Sequence, residues 1–273
     1  MTRPARPALS FGIGAAVGTA GGLIGLGGAE FRLPALVGVL RFSPREAVAV
    51  NLVASIIVLT AAFPFRAAAV PVAEIVPHLP AVLGMLAGAM SAAWVGAGWL
   101  RRASDELLGR LILILLVALG VVLIAKGMFV AEPYRLVGEG LVLTALVAAA
   151  CGVVIGLVSS LLGVAGGELI IPVFILLFGV DVKLAGSMSM LVGMPTIAVG
   201  LLRHFGAGSV LRERPVWRRT IAPLGAGSVI GAIFGALAVA FVPSQALKIG
   251  LGIILIWSAW GVFRHLPQGS RTA

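Results

Sequence analysis

Charge is scarce in this chain. Asp, Glu, Lys and Arg make up 11% of its 273 residues, where a soluble domain carries roughly a quarter. So few charges cannot clothe a water-facing surface. Cysteine is scarcer still: Cys151 stands alone inside an apolar run, which excludes a disulfide and a cysteine-based metal site and leaves packing as its role. His78, His204 and His265 fall at segment ends, far apart and without metal-ligand spacing, so no metal site is expected. Walker A, G-x-S-x-G and H-E-x-x-H sequences are missing. The stretch GLIGLGGAE, Gly22 to Glu30, is a poor dinucleotide fingerprint, since it sits in an apolar helix run with no βαβ unit around it. Enzyme activity, ATP-driven pumping and a bound cofactor therefore have no support in the chain.

What it has in abundance is apolar sequence, 60% of all residues. Eight runs approach the roughly 20 residues needed to cross a bilayer core: Leu9 to Gly28, Ala47 to Phe65, Leu79 to Leu100, Leu107 to Ala125, Leu141 to Gly163, Leu184 to Leu202, Ile221 to Val242 and Ala246 to Val262. They predict an all-α membrane protein with 6–8 membrane-spanning segments and no room for a soluble domain. The net charge of +10 lies in short caps between these runs, not along one face. It is read as orientation information, and no nucleic-acid partner is expected. Arg3 and Arg6 before an apolar stretch give the N-terminus a superficial likeness to a cleavable signal. An internal repeat argues against cleavage.

That repeat is GLGGAEFRLP, Gly25 to Pro34, recurring as GVAGGELIIP, Gly163 to Pro172. Gly25, Gly28, Glu30 and Pro34 match Gly163, Gly166, Glu168 and Pro172 at one offset, 168 − 30 = 138 residues. The register extends through Gly14/Gly152, Gly18/Gly156 and Ala47/Ala185, and sets Asn51 opposite Ser189. Two homologous halves follow, residues 8–130 and 136–264, within one integral membrane domain.

Loop charge points to inverted halves. The loop with Arg101, Arg102 and Arg110 corresponds to one carrying only Lys248, and the loop with Arg203, Arg212, Arg214, Arg218 and Arg219 corresponds to a stretch with Arg66 alone. Inversion needs an odd number of crossings per half, whereas each half has four apolar runs. A Gly-rich broken or re-entrant hairpin over each repeat motif leaves three full crossings per half. Both termini then face the cytoplasm.

The breaks carry the candidate site. Gly25, Gly27 and Gly28, with Gly163, Gly166 and Gly167, disfavour helix and permit close approach. Helices restarting near Ala29 and Gly167 would aim their N-terminal amides at an anion, or the glycines would serve only helix packing. Glu30 and Glu168 follow the breaks. They read as proton-responsive groups with raised pKa values or as caps of the restarting helices. Arg32, whose counterpart is Ile170, can clamp an anion, pair with Glu30 or reach a headgroup. Asn51, Ser55 and Thr60, with Ser187, Ser189 and Thr196, are further candidates whose alternative role is interhelical hydrogen bonding. Gly84 and Gly88 suit either an intramolecular crossing or a homodimer contact.

Two halves with GLIGLGGAEFRLP and LLGVAGGELIIP, and Ala47 and Ala185 opening the next helix, resemble the TauE/SafE family of sulfite exporters over about residues 8–264. The chain departs from the family's fuller glycine triplets at Ala29 and Ala165. The resemblance implies a permease of the cell inner membrane moving sulfite, an organosulfonate or a related small carboxylate. Proton coupling and a homodimer are compatible with it. A different reading is a non-transporting membrane subunit that docks a soluble partner or anionic lipid through the basic loop, Arg203 to Arg219.

Overall fold

The computed structural model describes residues 7–99, 105–128, 135–138, 140–162, 166–204, 211 and 213–265. Among these there are helices and no strands. In chain order they are α1 (Pro7–Ile24), α2 (Ala29–Pro34), α3 (Pro44–Ala69), α4 (Leu79–Trp99), α5 (Asp105–Met128), α6 (Leu141–Leu162), α7 (Gly167–Leu177), α8 (Val182–His204), α9 (Arg214–Val216), α10 (Ala222–Ala238) and α11 (Ser244–His265). A wide turn of π-helix, Ala35–Val39, prolongs α2, and another, Trp217–Ile221, joins α9 to α10. Among the described residues, five stretches are long and apolar enough to cross a membrane: Pro7–Ile24, Glu46–Ala69, Val72–Trp94, Val182–Leu202 and Arg214–Ala238. Shorter apolar helices include Gly167–Leu177. Its 11 residues reach about 16 Å, half of a bilayer core.

Local chemistry explains the helix ends. Gly25, Gly27 and Gly28 have φ of 94°, 79° and 71°, the left-handed region that side-chain-bearing residues avoid, so α1 stops at Ile24. α3 starts at a capping box. The Ser43 amide donates to Glu46 Oε2 at 2.9 Å, and Pro44 occupies the first turn, where its missing N–H costs nothing.

Close helix crossings then build the bundle. A Cβ at Gly14, Gly18 or Gly22 of α1 would collide with the backbone carbonyl of Leu224, Ser228 or Ala232 of α10. Reciprocally, Gly227, Gly231 and Gly235 face the carbonyls of Phe11, Ala15 and Thr19. Both series ascend together, so α1 and α10 run parallel at backbone contact. This is the small-residue packing that apolar solvent favours. The α4–α6 crossing is a copy: Gly84 and Gly88 meet Ala145 and Ala149, while Gly152 and Gly156 meet Met85 and Ala89. Gly84 and Gly88 are thus used within the chain. Comparing copies refines the register, because Gly14 maps to Gly152 at 138 residues but Met85 maps to Leu224 at 224 − 85 = 139. α5 and α11 behave differently. Gly120 faces Gly252, and Gly127 faces Gln245 and Ile249. The numbers run in opposite senses, so these two helices are antiparallel.

The main core surrounds α7, eight of whose residues from Gly167 to Ile175 are buried. Ile170, Ile171 and Phe174 pack there with Met85, Ala89, Ile155 and Met188 from neighbouring helices. A second cluster joins Leu36, Leu40 and Phe42 to Leu211, Val216, Ile221 and Leu224, closing the end of the bundle where α10 begins.

Candidate functional site

Two breaks in helical backbone meet inside the bundle. After the first, α2 begins at Ala29 with Gly28 as its left-handed N-cap residue. After the second, α7 begins at Gly167 with Gly166, φ 72°, in the same role. A Cβ at Gly167 would lie 3.2 Å from Leu26 Cα. The tip of α7 therefore rests on the first break, with Leu26 fully buried beside it. Contacts with α3 fix the depth. Asn51 Nδ2 donates to Ala29 O at 3.1 Å, and Leu59 lies 3.3 Å from the position of a Cβ at Gly27. These residues fall near the middle of the 26-residue α3, so the breaks lie near mid-length of a full spanning helix.

Arg32 is fully buried at this level. Its Nη2 donates to Gly27 O and, at 3.2 Å, to Ser55 Oγ. A guanidinium that reaches back over its own break both satisfies a carbonyl that the irregular turn leaves without a helical partner and brings positive charge to the tips. Ser189 holds the first break from the other half: its Oγ lies 2.7 Å from Gly25 O and 2.8 Å from Gly186 O. Glu168 is buried in the first turn of α7, where a carboxylate complements the helix dipole. Ser159 Oγ is buried, has no hydrogen-bond partner among the described residues and faces Gly166.

Of the residues singled out in the sequence, Gly25, Gly27, Gly28, Arg32, Asn51, Ser55, Gly166, Gly167, Glu168 and Ser189 converge here. Glu30 is placed in α2 by its backbone, and Gly163 lies outside the described residues. Ser187 does not join them. Its hydroxyl accepts from Arg66 Nε at 3.1 Å. Thr196 donates to Val192 O, one turn back in its own helix, and Thr60 is exposed.

Arg66 is the residue that sequence reading misplaced. The apolar run ends at Phe65, which assigned Arg66 to a connecting loop, yet α3 continues to Ala69 and folds the guanidinium fully inside. Its Nη1 donates to Gly22 O and Leu23 O, both at 2.8 Å, and Nη2 donates to Lys183 O at 3.0 Å and Ile24 O at 3.4 Å. The four last carbonyls of α1 are thereby satisfied, since Gly21 O accepts from the amides of Gly25 and Leu26. The detectable signal was an arginine within one turn of a long apolar run. Nothing local said whether it pointed in or out.

No curated protein and no solved structure matches the chain. The family model described as "Sulfite exporter TauE/SafE" matches residues 1–123 and 148–273, nearly the whole chain in two segments. With its helical bundle and its spanning segments, the chain belongs to the TauE/SafE sulfite exporter family, multi-pass membrane transporters of anions such as sulfite.

Proposed function

We propose that the chain is a secondary, ATP-independent permease whose substrate, sulfite, an organosulfonate or a related small carboxylate, binds where the two breaks meet. The observation that carries this reading is the contact of the α7 tip with Leu26 beside the buried Arg32 guanidinium. The α7 amides and Arg32 supply donors and positive potential, Ser55 holds the Arg32 guanidinium, and Asn51 and Ser189 brace the surrounding backbone. Arg32 and Glu168 are buried at the tips, and protonating Glu168 or Glu30 removes a negative charge from the break region, which links anion uptake to a proton.

An inverted relation of the halves, residues 8–130 and 136–264, is supported by helix direction. α5 and α11 are counterparts in the repeat and pack antiparallel, as a pseudo-two-fold axis in the membrane plane requires. α1 running parallel to α10, the counterpart of α4, agrees with it. The short α2 and α7 are the returning arms of the two hairpins, and the halves rock about them. Exposed Arg41, Arg214, Arg218 and Arg219 flank the cluster of Leu36, Phe42 and Val216. They favour a cytoplasmic position for that end in the cell inner membrane, and with it the termini.

The test is anion flux into proteoliposomes with sulfite, sulfoacetate, taurine, sulfate and a small carboxylate, with and without a pH gradient. Saturable flux of one anion that disappears in Arg32→Ala and responds to the gradient through Glu30→Gln or Glu168→Gln is expected. Correctly inserted protein that moves no anion of the panel would sink the permease reading for these substrates. It would favour a subunit that docks a partner through the exposed arginines at 214, 218 and 219.

A further inference from the structure

Five donors of one guanidinium meet five acceptors at Arg66, and the acceptors divide between two helices. Gly22, Leu23 and Ile24 belong to the end of α1, while Lys183 O and Ser187 Oγ, one turn apart, belong to the start of α8. A plain cap for α1 needs only the first three. The other two tie α1 and α3 of the first repeat to α8 of the second. The seam admits nothing else: a Cβ at Gly186 would collide with Ile24 O and with the Arg66 guanidinium, and one at Gly25 would sit 2.5 Å from Gly186 O. Access to the breaks from this end therefore requires α8 to part from α1.

The corresponding position in the second repeat carries a different residue. At the 138-residue offset, position 66 corresponds to 204, which is His204. An imidazole offers at most two N–H donors, so a five-bond joint of this kind cannot form there.

We propose that Arg66 is a latch: it holds the α1–α8 seam closed at one end of the bundle, and it releases α8 each time the anion site opens toward that end. The release step rests on the permease reading, whereas the closed seam does not.

The experiment places a thiol under the latch, Ser187→Cys in a Cys151→Ala background, in lipid nanodiscs. The rate of modification by a charged, membrane-impermeant thiosulfonate is then compared with Arg66 intact, with Arg66→Lys and with Arg66→Gln. Lysine keeps the charge but offers three donors on a single nitrogen, so at most three of the five acceptors keep a partner and the joint is weakened. Faster modification by about 10-fold is expected for Arg66→Lys, because more of the population has an open seam. In proteoliposomes carrying the native Ser187 and Cys151, Arg66→Lys should alter turnover and leave KM for the anion unchanged, since Arg66 does not touch the breaks' interior.

Equal modification rates in Arg66 and Arg66→Lys proteins of matched thermal stability would overturn the latch. So would Arg66→Lys protein that transports at the unaltered turnover. Should Arg66→Gln fail to fold, Arg66→Lys carries the comparison by itself. Absence of flux with Arg66 intact, beside a preserved contrast in modification, overturns the permease reading and leaves the closed seam standing.

Discussion

The two breaks share one backbone device and differ in what holds it. At the first, charge and hydrogen bonds do the holding: Arg32 reaches Gly27, Arg66 gathers the end of α1, Asn51 takes Ala29 and Ser189 takes Gly25. At the second, Ile170 stands where the first has Arg32, and α7 is packed among Met85, Ala89, Ile155 and Met188. Ser159 stands where α1 has Gly21 at the 138-residue offset, and its hydroxyl has no partner among the described residues. The repeated motif thus keeps a left-handed glycine at Gly28 and Gly166 and carries different side chains around it. One half brings the cation to the shared centre. The other supplies an apolar wall, which lowers the local dielectric and strengthens that cation's field.

Substitutions that exchange or remove these supports test the comparison. The largest loss is expected from Gly25→Ala, which combines a left-handed φ with a collision against the Gly186 backbone. Destabilisation on the order of 3–5 kcal/mol, read as loss of folded, monodisperse protein, follows from strain that neither backbone can relieve. Placing the first half's charge in the second, Ile170→Arg, buries a guanidinium in apolar packing. It should cost about 3 kcal/mol, measured by thermal unfolding in detergent. The reverse exchange, Arg32→Ile, is gentler to the fold and severe for function. Folded protein with flux reduced about 100-fold is the expectation, and full flux from that variant would remove Arg32 from the site. Ser159→Ala is the smallest change. It should leave stability equal or raise it by about 1 kcal/mol, because it deletes an unsatisfied buried hydroxyl. A clear loss of stability or of flux would instead mean that the hydroxyl serves a ligand.

Much of the first break was legible beforehand. Two glycines, a carboxylate and a proline, twice at one offset and each time with a third glycine beside them, announce a bend that a helix cannot absorb, and α2 and α7 begin at the residues where the motif restarts helix. Arg32 stood out because its neighbours are apolar. Ser187 was grouped with Ser189 on sequence position, yet a two-residue separation on a helix turns side chains about 200° apart. One faces Arg66 and the other the break. The roles of Gly84 and Gly88 were open between an internal crossing and a second copy of the chain. Contact with the α6 backbone at Ala145 and Ala149 uses them internally.

The helical membrane class, the repeated motif and the places where helix must fail were readable in the sequence, because each follows from local quantities: hydropathy summed over a window, an offset of 138 residues between motifs, and glycine's freedom at positive φ. Only the tertiary structure decided which helices touch. α1 packs on α10 and α6 on α4, across the repeat, because their glycine rows admit a neighbouring backbone, and a row of glycines does not name its partner. The same holds for Arg66. Its place at the end of an apolar run was visible, but its function depends on five acceptors brought from two other helices, which exist as a set only once those helices are packed.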